Sequence, residues 1–328
     1  MTTTEPTTAT PSAKLSIDRL RRSFKLQQLV PFAALILLFV FFAVNNGGKF
    51  TASSNLMVIL QQTVVLAVVA YGMTFVIVSG SIDLSVGSVV ALTGVVTASM
   101  ADGGNQFVAI VVALLVGLLA GIINGFVFAY GKIPSFIVTL GMLQVARGLT
   151  LVLSDGAAKP LPFDGVLGNL GLMPWIIVAG AVITVIAAVL FQFTLFGRRV
   201  KAIGGNERVA TLAGVPSRRL KVAVFAFSGF MAGVGGIILA SRLGTGSPTA
   251  GTGFELDVIA AVVIGGTPLT GGLGRISGTL VGAVIISMLS NGLVLMGVGD
   301  ATQQIVKGVV LAAAVFVSLE RGKIGVIK

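Results

Sequence analysis

The amino-acid sequence predicts an all-α protein, a polytopic transmembrane helical bundle of about ten spans with both termini cytoplasmic. Three observations predict it. The 328 residues are 55% hydrophobic and 10% charged, with a mean hydropathy of +1.04, whereas soluble domains carry about 25% charged residues. Apolar runs long enough to form helices across ~30 Å of hydrocarbon recur along the whole chain. The basic residues also sort to alternate sides of those runs, as a positive-inside orientation requires. The same composition removes whole classes of chemistry. Without cysteine there are no disulfides, thiolate metal sites or thiol nucleophiles; without histidine there is no Ser-His-Asp triad, HExxH zinc site or imidazole relay. The net charge of +11 does not point to nucleic acid, because most basic residues flank membrane spans.

The elements follow in order. Residues 1–25 read as a disordered, basic cytoplasmic segment: Met1 to Ser12 is rich in Thr and Pro, and Lys14, Arg19, Arg21, Arg22 and Lys25 follow. The first apolar run, Val30–Val44, ends in Asn45 and Asn46 with no small-x-small cleavage site, so it reads as a span and not a signal peptide. Further runs are Leu56–Val78, Val86–Met100, Phe107–Tyr130, Ile133–Leu153, Trp175–Phe196, Val222–Ala240, Asp257–Leu269, Ile276–Val298 and Ile305–Leu319. Two are short enough to be tilted, bent or partly re-entrant. The membrane domain thus covers 26–320, with a cytoplasmic loop at 197–221 and a short tail at 321–328. With the N-terminus inside, the 22 basic residues divide 17 to 5 in favour of the cytoplasm, and an even number of spans returns the C-terminus there.

Three glycine series lie four residues apart on helix faces: Gly117, Gly121 and Gly125; Gly229 and Gly233; Gly278 and Gly282. Lipid supplies no hydrophobic drive between helices, so such faces read as close-packing seams. Two apolar stretches are interrupted by polar, glycine-rich breaks, Val78–Ser88 and Gly265–Arg275. Interrupted helices in both halves of a transporter mark a translocation path. Ser79, Ser81, Asp83 and Ser85 from the first break, Thr267 and Thr270 from the second, and the intramembrane Asn124 and Thr139 are the candidate path residues. For Asp83 the plainer alternative is a cap on the following helix. Arg147, near the outer end of its span, is expected to snorkel to the headgroups.

The loop at 197–221 carries seven basic residues. Asn206 can cap a short helix, Glu207 suits its first turn, and Gly214 with Pro216 ends it. Val209, Leu212 and Ala213 would share one face. A short capped helix with a small apolar face under a bilayer reads as a docking surface for a cytoplasmic partner. Gly204, Gly205, Asn206, Glu207, Arg208, Ala210, Leu212 and Gly214 are its candidate residues.

Gly-Ser-Ile-Asp-Leu-Ser-Val-Gly at 80–87, Ala-Ile-Gly-Gly-Asn-Glu at 202–207 and Ala-Gly-Val at 213–215 resemble the signatures of ribose-type monosaccharide ABC-importer permeases. Ser-Gly-Phe-Met-Ala-Gly at 228–233 and Gly-Gly-Thr-Pro-Leu-Thr-Gly-Gly at 265–272 are similar to the same family, which commonly has Gly where Ser81 stands. The resemblance implies a permease homodimer in the bacterial inner membrane. It also implies a separate ATPase with two nucleotide sites, which would hold ATP and Mg, and a periplasmic or lipid-anchored sugar-binding protein. The 204–214 element would then be the coupling helix seated in that ATPase. The residues themselves are compatible with this: there is no G-x-x-x-x-G-K-[ST] phosphate loop, and the sequence offers no cofactor or metal site of its own. A neutral sugar needs hydroxyl-bonding groups without a fixed counter-charge. The main alternative is an ion-coupled secondary transporter of a small polar solute, for which Asp83, Glu255 and Asp257 are the available titratable groups. An intramembrane enzyme would need a Ser–Lys or Asp–Asp pair, but the acidic residues are scattered singly. A passive channel would need a charge ring or filter repeat, and none is found.

Overall fold

Leucine, valine, alanine and isoleucine dominate every long segment, and in an apolar medium such segments satisfy their backbone groups by hydrogen bonding within themselves. The computed structural model describes residues 31–101, 104–162 and 164–324, and in it each of the ten apolar runs is helical over most of its length. The first helices are α1 (Pro31–Asn45), α2 (Ser53–Val78), α3 (Val86–Ala101), α4 (Gln106–Gly131) and α5 (Ser135–Ser154). After the two-residue strand β1 (Lys159–Pro160) come α6 (Gly165–Leu170), α7 (Trp175–Phe193), α8 (Leu195–Leu212) and α9 (Ser217–Leu243). Strand β2 (Thr245–Gly246) precedes α10 (Phe254–Ile264), α11 (Ile276–Leu295) and α12 (Asp300–Ile324). The basic segment expected at 1–25 and the tail residues 325–328 lie outside the described residues.

Among the described residues six helices, α2, α4, α5, α7, α9 and α11, are long and apolar enough to cross a membrane. The expected ten spans exceed that number. Helices α1 and α3 are shorter apolar helices. Helix α10, with 11 residues, is about 16 Å long at 1.5 Å per residue, roughly half the hydrocarbon thickness.

Helix boundaries also depart from the apolar runs, for local reasons. The run Trp175–Phe196 is split at Thr194, whose hydroxyl accepts the Gly197 amide at 3.3 Å and so caps α8. Helix α9 begins at Ser217, not Val222, because Pro216 stands just ahead of it, where a missing N–H costs nothing. The basic segment 197–221 is therefore mostly helical.

Helix α2 forms the centre, buried without interruption from Val65 to Val78, with α9, α11, α10 and α7 packed around it. The glycine seams are where expected. A Cβ on Gly117 would overlap the Gly229 carbonyl, one on Gly121 the Phe225 carbonyl, and one on Gly229 the Gly117 carbonyl. Gly278 and Gly282 meet Gly265 and Ala261 in the same way, joining α11 to α10. Hydroxyls inside the helices are turned onto their own backbone: Thr63, Thr74, Thr93, Thr97 and Thr150 each donate to the carbonyl four residues back.

At one end of the bundle β1 pairs antiparallel with β2, Lys159 opposite Gly246, and Gln106 ties α4 to the α6 region through Asp164 O and Leu167 N. From β2 the chain turns back into the bundle. Gly246 lies against Gly94 and Val95 of α3, and Gly251 lies against the Gly87 carbonyl. The segment thus descends about 10 Å along α3 before α10 begins.

Candidate functional site

The three segments singled out in the sequence meet at the end of the bundle that carries α8. Helix α2 stops where Gly80 takes φ of 81°, a left-handed conformation natural to glycine. The freed Val78 carbonyl accepts the Gly272 amide from the second break at 2.8 Å. Gly204 of α8 is pressed against both groups: a Cβ there would overlap the Val78 carbonyl and come within 2.6 Å of Gly272 N. Gly271 (φ 82°) in turn faces Gly80 and the Gly204 carbonyl. Both breaks and the 204–214 element therefore share one junction made of backbone. Gly205, by contrast, faces open space.

Beyond the junction, α8 is not one short helix from 204 to 214 as the sequence suggested. It is two helical pieces broken at Asn206, whose backbone is extended (φ −161°, ψ 102°). The expected cap forms there: Asn206 Oδ1 accepts the Val209 amide at 3.0 Å. Gly214 (φ 86°) closes the element, with its amide bonded to Thr211 O and the Val215 amide to Ala210 O, both at 3.0 Å. Glu207 is paired with Lys221 of α9 at 2.7 Å, Thr211 bonds Ser217 at 2.6 Å, and Ala210 is buried. These contacts fix the short helix on its inner side. Its outer side is open: Leu212 is 83% exposed and Val209 59%, and Glu207, Arg208, Thr211 and Leu212 line a shallow depression.

Four of the eight candidate path residues gather in a second, buried cluster. Asp83 Oδ1 accepts the Ser85 amide (3.0 Å) and hydroxyl (2.6 Å), and Oδ2 accepts the Ser228 hydroxyl (2.9 Å). Asn124 donates to Ser85 Oγ at 2.9 Å. The break's own amides are held from α5: Ile82 N donates to Ser135 Oγ and Leu84 N to Thr139 Oγ1. Asp83 is 1% exposed, and Ser85, Asn124 and Thr139 are also buried. In this arrangement the carboxylate meets donors from its own chain and shapes the start of α3. Ser79 and Ser81 are buried beside it, the Ser79 hydroxyl bonded to Val76 O. Thr267 is buried at the second break with its hydroxyl unpartnered among the described residues, and Thr270 is exposed. Neither joins the Asp83 cluster.

Sequence reasoning missed Ser228 and Ser135 as partners of the break. The usable signal was a hydroxyl next to a glycine seam (Ser228-Gly229) and one following the Ile-Pro turn at 133–134. Arg147 is a correction. It does not snorkel outward, because its Nη1 donates to the carbonyls of Pro248 (2.6 Å) and Ala250 (3.0 Å) in the descending segment after β2. Among the described residues no cluster of acidic side chains is arranged to hold a metal ion.

Residues 55–315 match the family described as branched-chain amino acid transport system / permease component. The chain is 43% identical over 309 residues to the ribose import permease protein RbsC of Bacillus subtilis, covering 91% of this chain and 94% of that one. It is 42% identical to the ribose import permease protein RbsC of Escherichia coli K12, covering 90% and 96%. The xylose transport system permease protein XylH of the same strain is 36% identical, covering 90% and 92%. No solved structure matches significantly.

Proposed function

The chain belongs to the branched-chain amino acid transport system / permease component family, and on that premise we propose that it is the membrane subunit of a bacterial ATP-driven importer of a monosaccharide such as ribose. The curated relatives named for ribose and xylose favour a sugar over the amino acid in the family's description. The protein is a multi-pass component of the cytoplasmic membrane and a transporter, not an enzyme. We place both termini in the cytoplasm and count ten crossings, α1, α3, α10 and α12 completing the six long spans; the 17 to 5 division of basic residues supports that orientation.

The work is divided between subunits. A cytoplasmic ATPase with two nucleotide sites holds ATP and Mg, a periplasmic or lipid-anchored binding protein delivers the sugar, and a second copy of this chain completes the pathway. The observation that carries this reading is the capped helix at 206–214, with an exposed apolar face and a base set into both breaks through Gly204. When the ATPase closes, it draws on Leu212 and Val209, and the motion passes through Val78 and Gly272 to the breaks. The ATPase thereby favours one of two bundle conformations by binding it more tightly, which is all a switch of this kind requires. The polar cluster around Asp83, with Ser85, Asn124 and Thr139, positions the first break beside the sugar path.

Affinity purification from native membranes tests the reading. An ATPase is expected to copurify near-stoichiometrically with the wild type and to be lost with Leu212→Asp. If no nucleotide-binding partner appears with the wild type in mild detergent, ion-coupled uptake replaces ATP-driven import.

A further inference from the structure

The segment after α9 is a stretch of irregular backbone at membrane depth. Non-helical backbone is tolerated there only where protein buries it or where it borders a water-filled cavity. Its inner side is buried against α3, from Gly94 and Val95 down to Gly87. Its other side is not: Thr249 and Thr252 are exposed, Ser247 is half-buried, and the Ser247 and Thr249 hydroxyls bond each other at 3.0 Å. The neighbouring helix α5 adds an exposed amide, Gln144, with the open Gly141 and Gly148 on the same face. The Thr252 hydroxyl donates to Thr249 O at 2.8 Å, yet each hydroxyl keeps free lone pairs, and these together with the Gln144 amide would be costly in hydrocarbon, so this face borders water.

Arg147 holds the arrangement in place. One nitrogen of its guanidinium takes up the carbonyls of Pro248 and Ala250. The Glu255 carboxylate, at the start of α10, lies beside Gly87 and Gly251 at the end of the segment, and offsets the Arg147 charge. The surface presented is therefore rich in hydroxyl and amide groups and close to neutral, which is the chemistry that recognises a polyhydroxylated, uncharged solute. Its lower end, Gly251 beside Gly87, lies next to the break that carries Asp83 and Ser85.

We propose that residues 247–252, together with Gln144, form the sugar-contacting wall of the outer half of the pathway, with Arg147 as the positioning residue that holds the segment. This rests on the sugar-import reading and names where that sugar is met. The test uses the assembled transporter, with its ATPase and binding protein, in proteoliposomes. Because the chain has no cysteine, Thr249→Cys and Val185→Cys each introduce a single thiol, the second on an exposed, apolar face of α7.

A charged, membrane-impermeant methanethiosulfonate is expected to modify Thr249→Cys at least about tenfold faster than Val185→Cys, since only water carries the reagent. Thr249→Val is expected to raise the KM for D-ribose or D-xylose uptake by about fivefold, the usual size of one lost hydrogen bond. Arg147→Gln should raise KM similarly and Arg147→Lys should recover most of it, while Thr51→Val, an exposed hydroxyl elsewhere, leaves KM unchanged. Equal labelling of the two thiols, or fast labelling with an unmoved KM, would each overturn the proposal. If the wild type moves neither sugar, the sugar-import reading falls instead, and the labelling ratio still decides whether the segment borders water.

Discussion

Within α8, the residues before Asn206 and those after it meet their surroundings in opposite ways. Gly204 is locked into the bundle, with no room for a methyl group between it, Val78 and Gly272. Eight residues on, Leu212 is 83% exposed. Both halves carry residues that the sequence marks as one docking element. The structure separates them into a seat, which the protein completes by itself, and a face, which stays exposed. Apolar surface that a fold does not bury is informative only when its scaffold is rigid, and here the Asn206 cap, the Lys221 pair and the Gly214 turn make it so.

Substitutions at four positions test that contrast, from the largest expected effect to the smallest. Gly204→Val is predicted to abolish a monodisperse, stable bundle, because backbone on two sides must move to admit the side chain; size-exclusion in mild detergent reads it. Survival of that variant with normal thermal stability would show that the seat is looser than its contacts imply. Asp83→Ala is predicted to cost about 2–3 kcal/mol, since three donors lose their acceptor in a buried cluster. Asp83→Asn should recover roughly half of that, as measured by thermal denaturation in detergent.

Leu212→Asp touches only the face. It is expected to leave Tm within the shift of about 0.5 kcal/mol usual for surface changes, yet weaken ATPase association at least tenfold in a binding titration. A fall in Tm with association intact would reverse the assignment of the two halves. The smallest effect belongs to Gly205→Ala. Gly205 faces open space in a helical stretch, so the change should be neutral or stabilising by up to about 1 kcal/mol through helix propensity, with uptake retained.

Local features were legible in the sequence and junctions were not. The Asn206 cap, the Gly214 stop and the Gly117/Gly121/Gly125 seam depend on spacing within one helix, and spacing is what a sequence displays. The meeting of Val78, Gly204 and Gly272 joins residues far apart in the chain through backbone atoms, which have no side-chain signature. A local cap is the plainer alternative for Asp83 in the sequence, and its bonds with Ser85 are of that kind. The Ser228 bond that completes the cluster needed the fold. Arg147 was misjudged because hydropathy gives depth but not neighbours, and its partners are carbonyls of a segment that looks like an ordinary connection. The six long spans leave the other four runs to be argued, since an apolar run shows that a helix is buried in something apolar, without saying that it crosses.

The Val78 carbonyl, bonded to Gly272 and abutting Gly204, also works as a mechanical joint. A joint built of main-chain atoms has no rotamers in which to lose displacement, so even a short stroke at α8 reaches α2 and the second break together. Its stiffness does not depend on which side chains face the partner. If the proposed ATPase docks there, residues 207–212 are free to diverge with it while the junction behind them stays the same.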